Sequence, residues 1–178
     1  MEELFNQVLT HFTPILKEEQ FPIRRRLHTE NKICDNLYLV VSGVIRAYYY
    51  IDGKDVTAHF ASENDAITAP DSFIRRKRSR YNIEVLEDAK VLVVNYYELE
   101  KYLIENPHLE RLARKFTESI YIELLDRIEG LVFFSAADKY RQLVKRNPTI
   151  VRRVSLGHIA SYLGITQETL SRVRRQVV

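Results

Sequence analysis

The chain has 178 residues, 46% of them hydrophobic, enough for one good core and a small satellite domain. Its 27 Lys and Arg against 24 Asp and Glu leave a net charge of +3, too small to imply a polyanion partner, but residues 151–178 hold five Arg and a single acid, Glu168. Cys34 is the only cysteine, which excludes an intrachain disulfide, a zinc site built on thiolates and a four-cysteine iron–sulfur cluster.

The chain opens with MEELFNQVLTHF, which carries acids where a secretion signal carries bases. No apolar run approaches the roughly 18 residues of a membrane span, so the expectation is a cytoplasmic protein with no membrane partner. Phe5, Val8, Leu9 and Phe12 recur at helical spacing and predict a short helix, closed off by Pro14 and Pro22. Strands follow at LYLVV (37–41), VIRAYYYI (44–51) and VTAHFA (56–61), with turns at Ser42-Gly43 and Asp52-Gly53. Asp-Gly between two such runs marks a hairpin. YNIEVLE (81–87) and KVLVVN (90–95) add two more strands around a corner at Glu87-Asp88. Five or more short, closely spaced strands predict an antiparallel barrel or jelly roll.

From Tyr96 to Asn147 the pattern is helical, interrupted at Asn106-Pro107. Beyond that break Leu109, Leu112, Phe116, Ile120, Leu124, Ile128 and Leu131 form one apolar stripe along a long helix. One small barrel has little surface left to cover such a stripe, which predicts pairing with the same helix of a second copy; a helix lying along its own barrel is the alternative. Phe134-Ser135 breaks the stripe and serves as a hinge, after which Ser135 caps a helix that runs through Tyr140 and Leu143 to a stop at Asn147-Pro148.

In the last segment Ser155 can cap a first helix and Thr166 a second, with Gly164 supplying the φ > 0 residue of the turn between them. Ile159, Leu163, Ile165, Leu170 and Val173 fall where two steeply crossing helices share a core, and Ala160 is small where they approach most closely. These offsets predict a helix-turn-helix. At about 100° per residue Leu170 and Val173 separate from Glu168, Ser171, Arg172 and Arg175, which gather on the face a major groove would meet. Arg can donate two bonds to guanine and Glu can accept from cytosine N4. A carboxylate repels phosphate, so Glu168 reads as a base contact or as an acid favoured by the helix dipole. Thr166, Arg152, Arg153 and Arg174 lie better for backbone contacts that fix register. The overall expectation is an α+β chain: an antiparallel β jelly roll over 1–106, a dimerisation helix and hinge over 107–134, and a helix-turn-helix domain over 135–178.

With ASYLGITQETLSRVRRQ preceded by KYRQLVKRNP, this arrangement resembles the Crp/Fnr superfamily of dimeric bacterial transcription regulators, in particular the short members found in Bacteroidetes. The resemblance covers nearly the whole chain. It implies a homodimer on an inverted repeat of double-stranded DNA, with RNA polymerase as a further partner. The family's Arg-Glu-x-x-x-Arg reading set maps onto Gln167, Glu168 and Arg172, so the first reader departs from the pattern and the half-site is expected to differ at that base. The wing hairpin common in the family has no counterpart in the three residues after Arg175.

The sensor half departs further. The Gly-Glu pair of cyclic-nucleotide-binding relatives corresponds to Asn64-Asp65, and their phosphate-binding Arg and its two neighbours to Ser79-Arg80-Tyr81. The adenine hydroxyls would fall at Leu124 and Leu125, which cannot donate. Asp65, Arg78, Ser79, Arg80 and Leu124 are therefore the candidate effector residues, with cyclic AMP expected to be excluded and the effector unknown. IRRKRSR (74–80) holds five bases in seven residues and reads either as an anion site or as a solvated loop. No cofactor and no metal is implied: His11, His28, His59, His108 and His158 are isolated, whereas a metalloenzyme on a cupin-like roll needs His-x-His with a nearby carboxylate. The chain thus reads as a regulator and not an enzyme. A signalling module without DNA binding and, further off, the cupin-like metalloenzyme are the alternatives.

Overall fold

A computed structural model describes residues 2–177. Helix α1 (Glu2–Phe12) leads into strands β1 (Lys17–Phe21), β2 (Arg26–His28), β3 (Asn36–Ile51), β4 (Lys54–Ala61) and β5 (Ala66–Ile67). A one-turn helix, α2 (Pro70–Phe73), precedes β6 (Asn82–Asn95). The remainder is helical: α3 (Tyr96–Glu105), α4 (Glu110–Phe133), α5 (Ala136–Arg146), α6 (Pro148–Arg153), α7 (Leu156–Leu163) and α8 (Gln167–Val177). The sheet is antiparallel throughout, with order β1-β6-β3-β4, β2 added to β6 and β5 to β3.

Two pairs of predicted strands are in fact single strands. LYLVV and VIRAYYYI are both within β3, and KVLVVN and all of YNIEVLE but Tyr81 within β6; the two long strands pair from Asn36↔Asn95 to Tyr48↔Asn82. Ser42-Gly43 and Glu87-Asp88 are not turns but the place where register shifts between them. A bulge bends a strand without ending it, which lets one pair of strands serve both layers of the roll. The Asp52-Gly53 hairpin does form, with both residues at positive φ (49° and 74°), as a tight turn matched to strand twist requires. Strands β1, β2 and β5 and helices α2 and α6 have no counterpart among the predicted elements. Pro148 ends α5, as expected, and also opens α6 from its first turn.

Three apolar clusters hold these elements together. The roll interior is built from Tyr38, Val40, Ile45, Ile83, Val85 and Val91. A second cluster joins Phe5, Val8 and Phe12 of α1 to Leu39, Val94, Leu109 and Phe116. The stripe, which begins in the turn just before α4, is therefore divided rather than continuous in role: Leu109 and Phe116 are buried within the chain, whereas Leu124, Ile128 and Leu131 are exposed. The cover of the first half is α1, whose apolar face the expectation of one partner-facing stripe left out of account. The third cluster packs Tyr140, Leu143, Ile150, Ile159, Leu163, Leu170 and Val173 of α5–α8 together with Val44 and Phe60 of the roll. The helical domain thus shares a core with the sheet.

Candidate nucleic-acid interface

Helices α7 and α8 form a helix-turn-helix whose ends are fixed by local hydrogen bonds. Ser155 Oγ accepts from His158 N (3.3 Å), and Thr166 Oγ1 accepts from Thr169 N (3.2 Å). Gly164 sits at φ 66°, ψ 35°, and Ile165 N donates back to Ala160 O at 3.0 Å, closing α7 with a left-handed cap. Ile159, Ala160, Leu163, Leu170 and Val173 are buried between the helices. On the opposite side of α8, Gln167, Glu168, Arg172 and Arg175 are exposed and Ser171 half-buried. The Glu168 carboxyl is held below its ordinary range by its own backbone amide and the Thr166 hydroxyl at the start of α8. Its negative charge therefore also serves the helix terminus.

The remaining residues singled out as backbone contacts divide. Arg152 is exposed and Arg174 half-buried, and neither makes a side-chain ion pair among the described residues. Arg153 is engaged by the roll. Its Nε donates to Glu87 Oε2 at 2.6 Å and its Nη1 to both Glu63 oxygens at 3.0 and 2.8 Å. The bond to Glu63 first, then Glu87, raises its pKa above the ordinary arginine value despite partial burial.

The candidate effector residues do not form one hydrogen-bonded site. Ser79 Oγ is buried and donates to Asp71 Oδ1 (2.8 Å) while accepting from Tyr81 N (2.9 Å). Asp65 instead accepts from Ser62, through both its amide and its hydroxyl. Arg78 and Arg80 are exposed, and Leu124 lies on the uncovered half of α4. The basic loop is anchored by Arg76, which pairs with Asp35 and stacks on Tyr96 with its guanidinium carbon 4.1 Å from the ring centre.

Sequence reasoning missed the contacts that seat the helix-turn-helix on the roll. Arg46, 3% exposed, donates through Nε to Glu84 (2.7 Å) and through Nη1 and Nη2 to Asp55 (2.7 and 2.6 Å). Its Nη1 also donates to Thr57 Oγ1 and to Nδ1 of His158 on α7, at 2.9 Å for the histidine. Beside it Thr57 N donates to Ser161 Oγ, and that hydroxyl donates to Asp55 O, so α7 caps the free edge of β4. Arg127 of α4 completes the seat, donating to Tyr162 O and Thr57 O and lying 3.8 Å above the Tyr162 ring. The available signal was Arg46 itself: a lone cation inside VIRAYYYI demands buried partners.

A cyclic nucleotide-binding domain model matches residues 18–106, half of the chain. The chain belongs to the cyclic nucleotide-binding domain family. This domain is followed by the long helix α4 and the helix-turn-helix of α7 and α8. Over 107 residues, 60% of its length, the chain is 37% identical to the anaerobic regulatory protein of Bacillus subtilis. That match spans 45% of the Bacillus protein, less than half of it. Among solved structures the chain is similar in fold to FixK2 from Bradyrhizobium japonicum (TM-score 0.73, 23% identity, 92% of this chain and 84% of that one). It is also similar to the c-di-GMP responsive regulator CLP from Xanthomonas campestris (TM-score 0.72, 16% identity, 97% and 91%). No group of three or more metal-binding side chains converges among the described residues, and no helix there is long and apolar enough to cross a membrane.

Proposed function

We propose that the chain is a dimeric, sequence-specific DNA-binding transcription regulator of the Crp/Fnr type, working in the cytoplasm without enzymatic activity and with RNA polymerase as a further partner. The observation that carries this reading is the α8 surface: Gln167, Glu168, Arg172 and Arg175 exposed on one side, Leu170 and Val173 buried on the other. The roll over 1–106 is the sensing part, 107–134 the dimerisation helix and hinge, and 135–178 the DNA-binding part. Selection of bound duplexes from a random pool, followed by anisotropy titrations, tests base reading. Arg172→Ala is expected to cost roughly 1–3 kcal/mol on the selected site and to relax preference at one base pair. Glu168→Ala alters specificity more than affinity. Arg152→Ala weakens all sequences alike and lowers the salt slope by about one. Uniform weakening by all three would show that α8 does not read bases.

Dimerisation is supported by the uncovered half of α4, where Tyr121, Ile122, Leu125, Ile128, Val132 and Phe133 are all exposed. Pairing of two such helices about a two-fold axis would place two α8 helices about 34 Å apart, one turn of DNA, and make the operator an inverted repeat. Sedimentation at micromolar concentration is expected to give a dimer, converted to monomer by Ile128→Glu. A wild-type monomer would refute the arrangement.

The effector is something other than cyclic AMP, or none. Taking up a cyclic phosphate needs a buried cation and several donors, and the aligned residues supply Ser79, a shorter acid and two leucines. Calorimetry with cyclic AMP is expected to show no saturable micromolar isotherm; one abolished by Arg80→Ala would overturn this reading.

A further inference from the structure

Arg153 closes α6, two residues before the Ser155 cap of α7, and so stands at the start of the helix that in a helix-turn-helix crosses the DNA backbone. Its neighbour Arg152 is exposed and unpaired among the described residues. Arg153 instead meets three carboxylate oxygens of the roll, two from Glu63 and one from Glu87, all within 3.0 Å. Glu63 does not arrive there by chance of rotamer: its Oε1 also accepts from Gly43 N at 2.9 Å, in the bulge of β3. Anionic oxygens set around a guanidinium fork are what a phosphodiester presents. One guanidinium cannot satisfy both sets at once.

We propose that Glu63 and Glu87 act as phosphate surrogates, so that the sensing roll and the DNA backbone compete for Arg153. This rests on the DNA-binding reading above and adds a regulatory contact to it. While the roll holds Arg153, the helical domain stays seated on β4 and lacks one backbone contact. DNA must displace two carboxylates to recover it. Anything that draws Glu63 or Glu87 away, such as movement of the bulge at Gly43, raises DNA affinity without touching α8.

The test is a cycle between the Glu63→Gln/Glu87→Gln double variant and Arg153→Ala, each measured for affinity to a random-sequence duplex and for hydrogen exchange at the Thr57 amide, which reports the seat through Ser161. Glutamine keeps the oxygen that accepts from Gly43. The double variant is expected to bind DNA about fivefold tighter, the scale of two half-exposed ion pairs, and to speed Thr57 exchange by a similar factor. In the Arg153→Ala background the same two changes should leave affinity unmoved. A gain that persists there is a general charge effect and overturns the proposal. So does faster Thr57 exchange with unchanged affinity, or no change in exchange. If the wild type and every variant fail to bind any duplex, the DNA-binding reading falls and the competition with it, while the exchange data still report the contact.

Discussion

Arg46→Ala is expected to lower the stability of the protein by about 3 kcal/mol, roughly a 10 °C fall in Tm for a chain of this size. The guanidinium is almost wholly buried, and its removal leaves Glu84, one-fifth exposed, without a cation. Asp55, a third exposed, keeps some solvent and contributes less, which places the value at the lower end of the range for broken buried pairs. Burial alone would depress the Arg46 pKa, but the bonds to Asp55 and Glu84 outweigh it and raise it. Lysine should not rescue, because one ammonium cannot reach Glu84, both Asp55 oxygens and His158 together. Neutralising the acids in the same background, Asp55→Asn with Glu84→Gln, should recover part of the loss. A urea midpoint shift worth less than about 1 kcal/mol would mean that solvent already screens these carboxylates.

This loss has a functional consequence because Arg46 also carries His158 of α7. Accepting from Arg46 requires a neutral imidazole. Burial first, then the Arg46 charge, hold the His158 pKa below 6.5, with Asp55 and Glu84 opposing. The unfolded chain therefore takes up its proton at higher pH than the seated form does. The contribution of this contact is complete above pH 6.5 and declines as pH falls below it. The protection of the Thr57 amide, its exchange relative to the intrinsic amide rate at each pH, should fall on acidification, and less so in His158→Asn.

What could be read along the chain was written in short-range signals. Asp52-Gly53, the serine and threonine caps, and the apolar offsets of α7 and α8 each specify their structure within a few residues. The long strands could not be read so, because Ser42-Gly43 looks like a turn until β6 is alongside it. The edge strand β1 (KEEQF) is exposed at four of its five residues and carries no period-2 apolar pattern. The seat of the helix-turn-helix joins Arg46 to a residue 112 positions away and Arg153 to one 90 positions away, and no local pattern encodes such pairs. Arg153 is the instructive case. Its place before α7 suggested DNA phosphate, and its neighbours in space turned out to be carboxylates.

Gly43→Ala is expected to cost about 4 kcal/mol, because it violates backbone conformation and packing together. Gly43 has φ 97°, which an L side chain rarely adopts. A Cβ there would lie 2.6 Å from both Ala89 Cα and Asp88 O, and 2.8 Å from Ala89 Cβ. None of these atoms is the end of a flexible side chain, so β6 itself must move. Gly53 isolates the two contributions: its φ is 74° and a Cβ would meet nothing within 4 Å. Gly53→Ala should therefore cost only about 1 kcal/mol, from conformation alone. Denaturation of the two variants side by side decides the matter, since equal losses would mean the bulge relaxes at no cost. The Gly43 amide also positions Glu63, so the sub-denaturing shift of β6 in Gly43→Ala should loosen the hold on Arg153 and speed Thr57 exchange. Gly53→Ala should leave that exchange unchanged, which separates the bulge as the link between the strands of the roll and the seat of the helix-turn-helix.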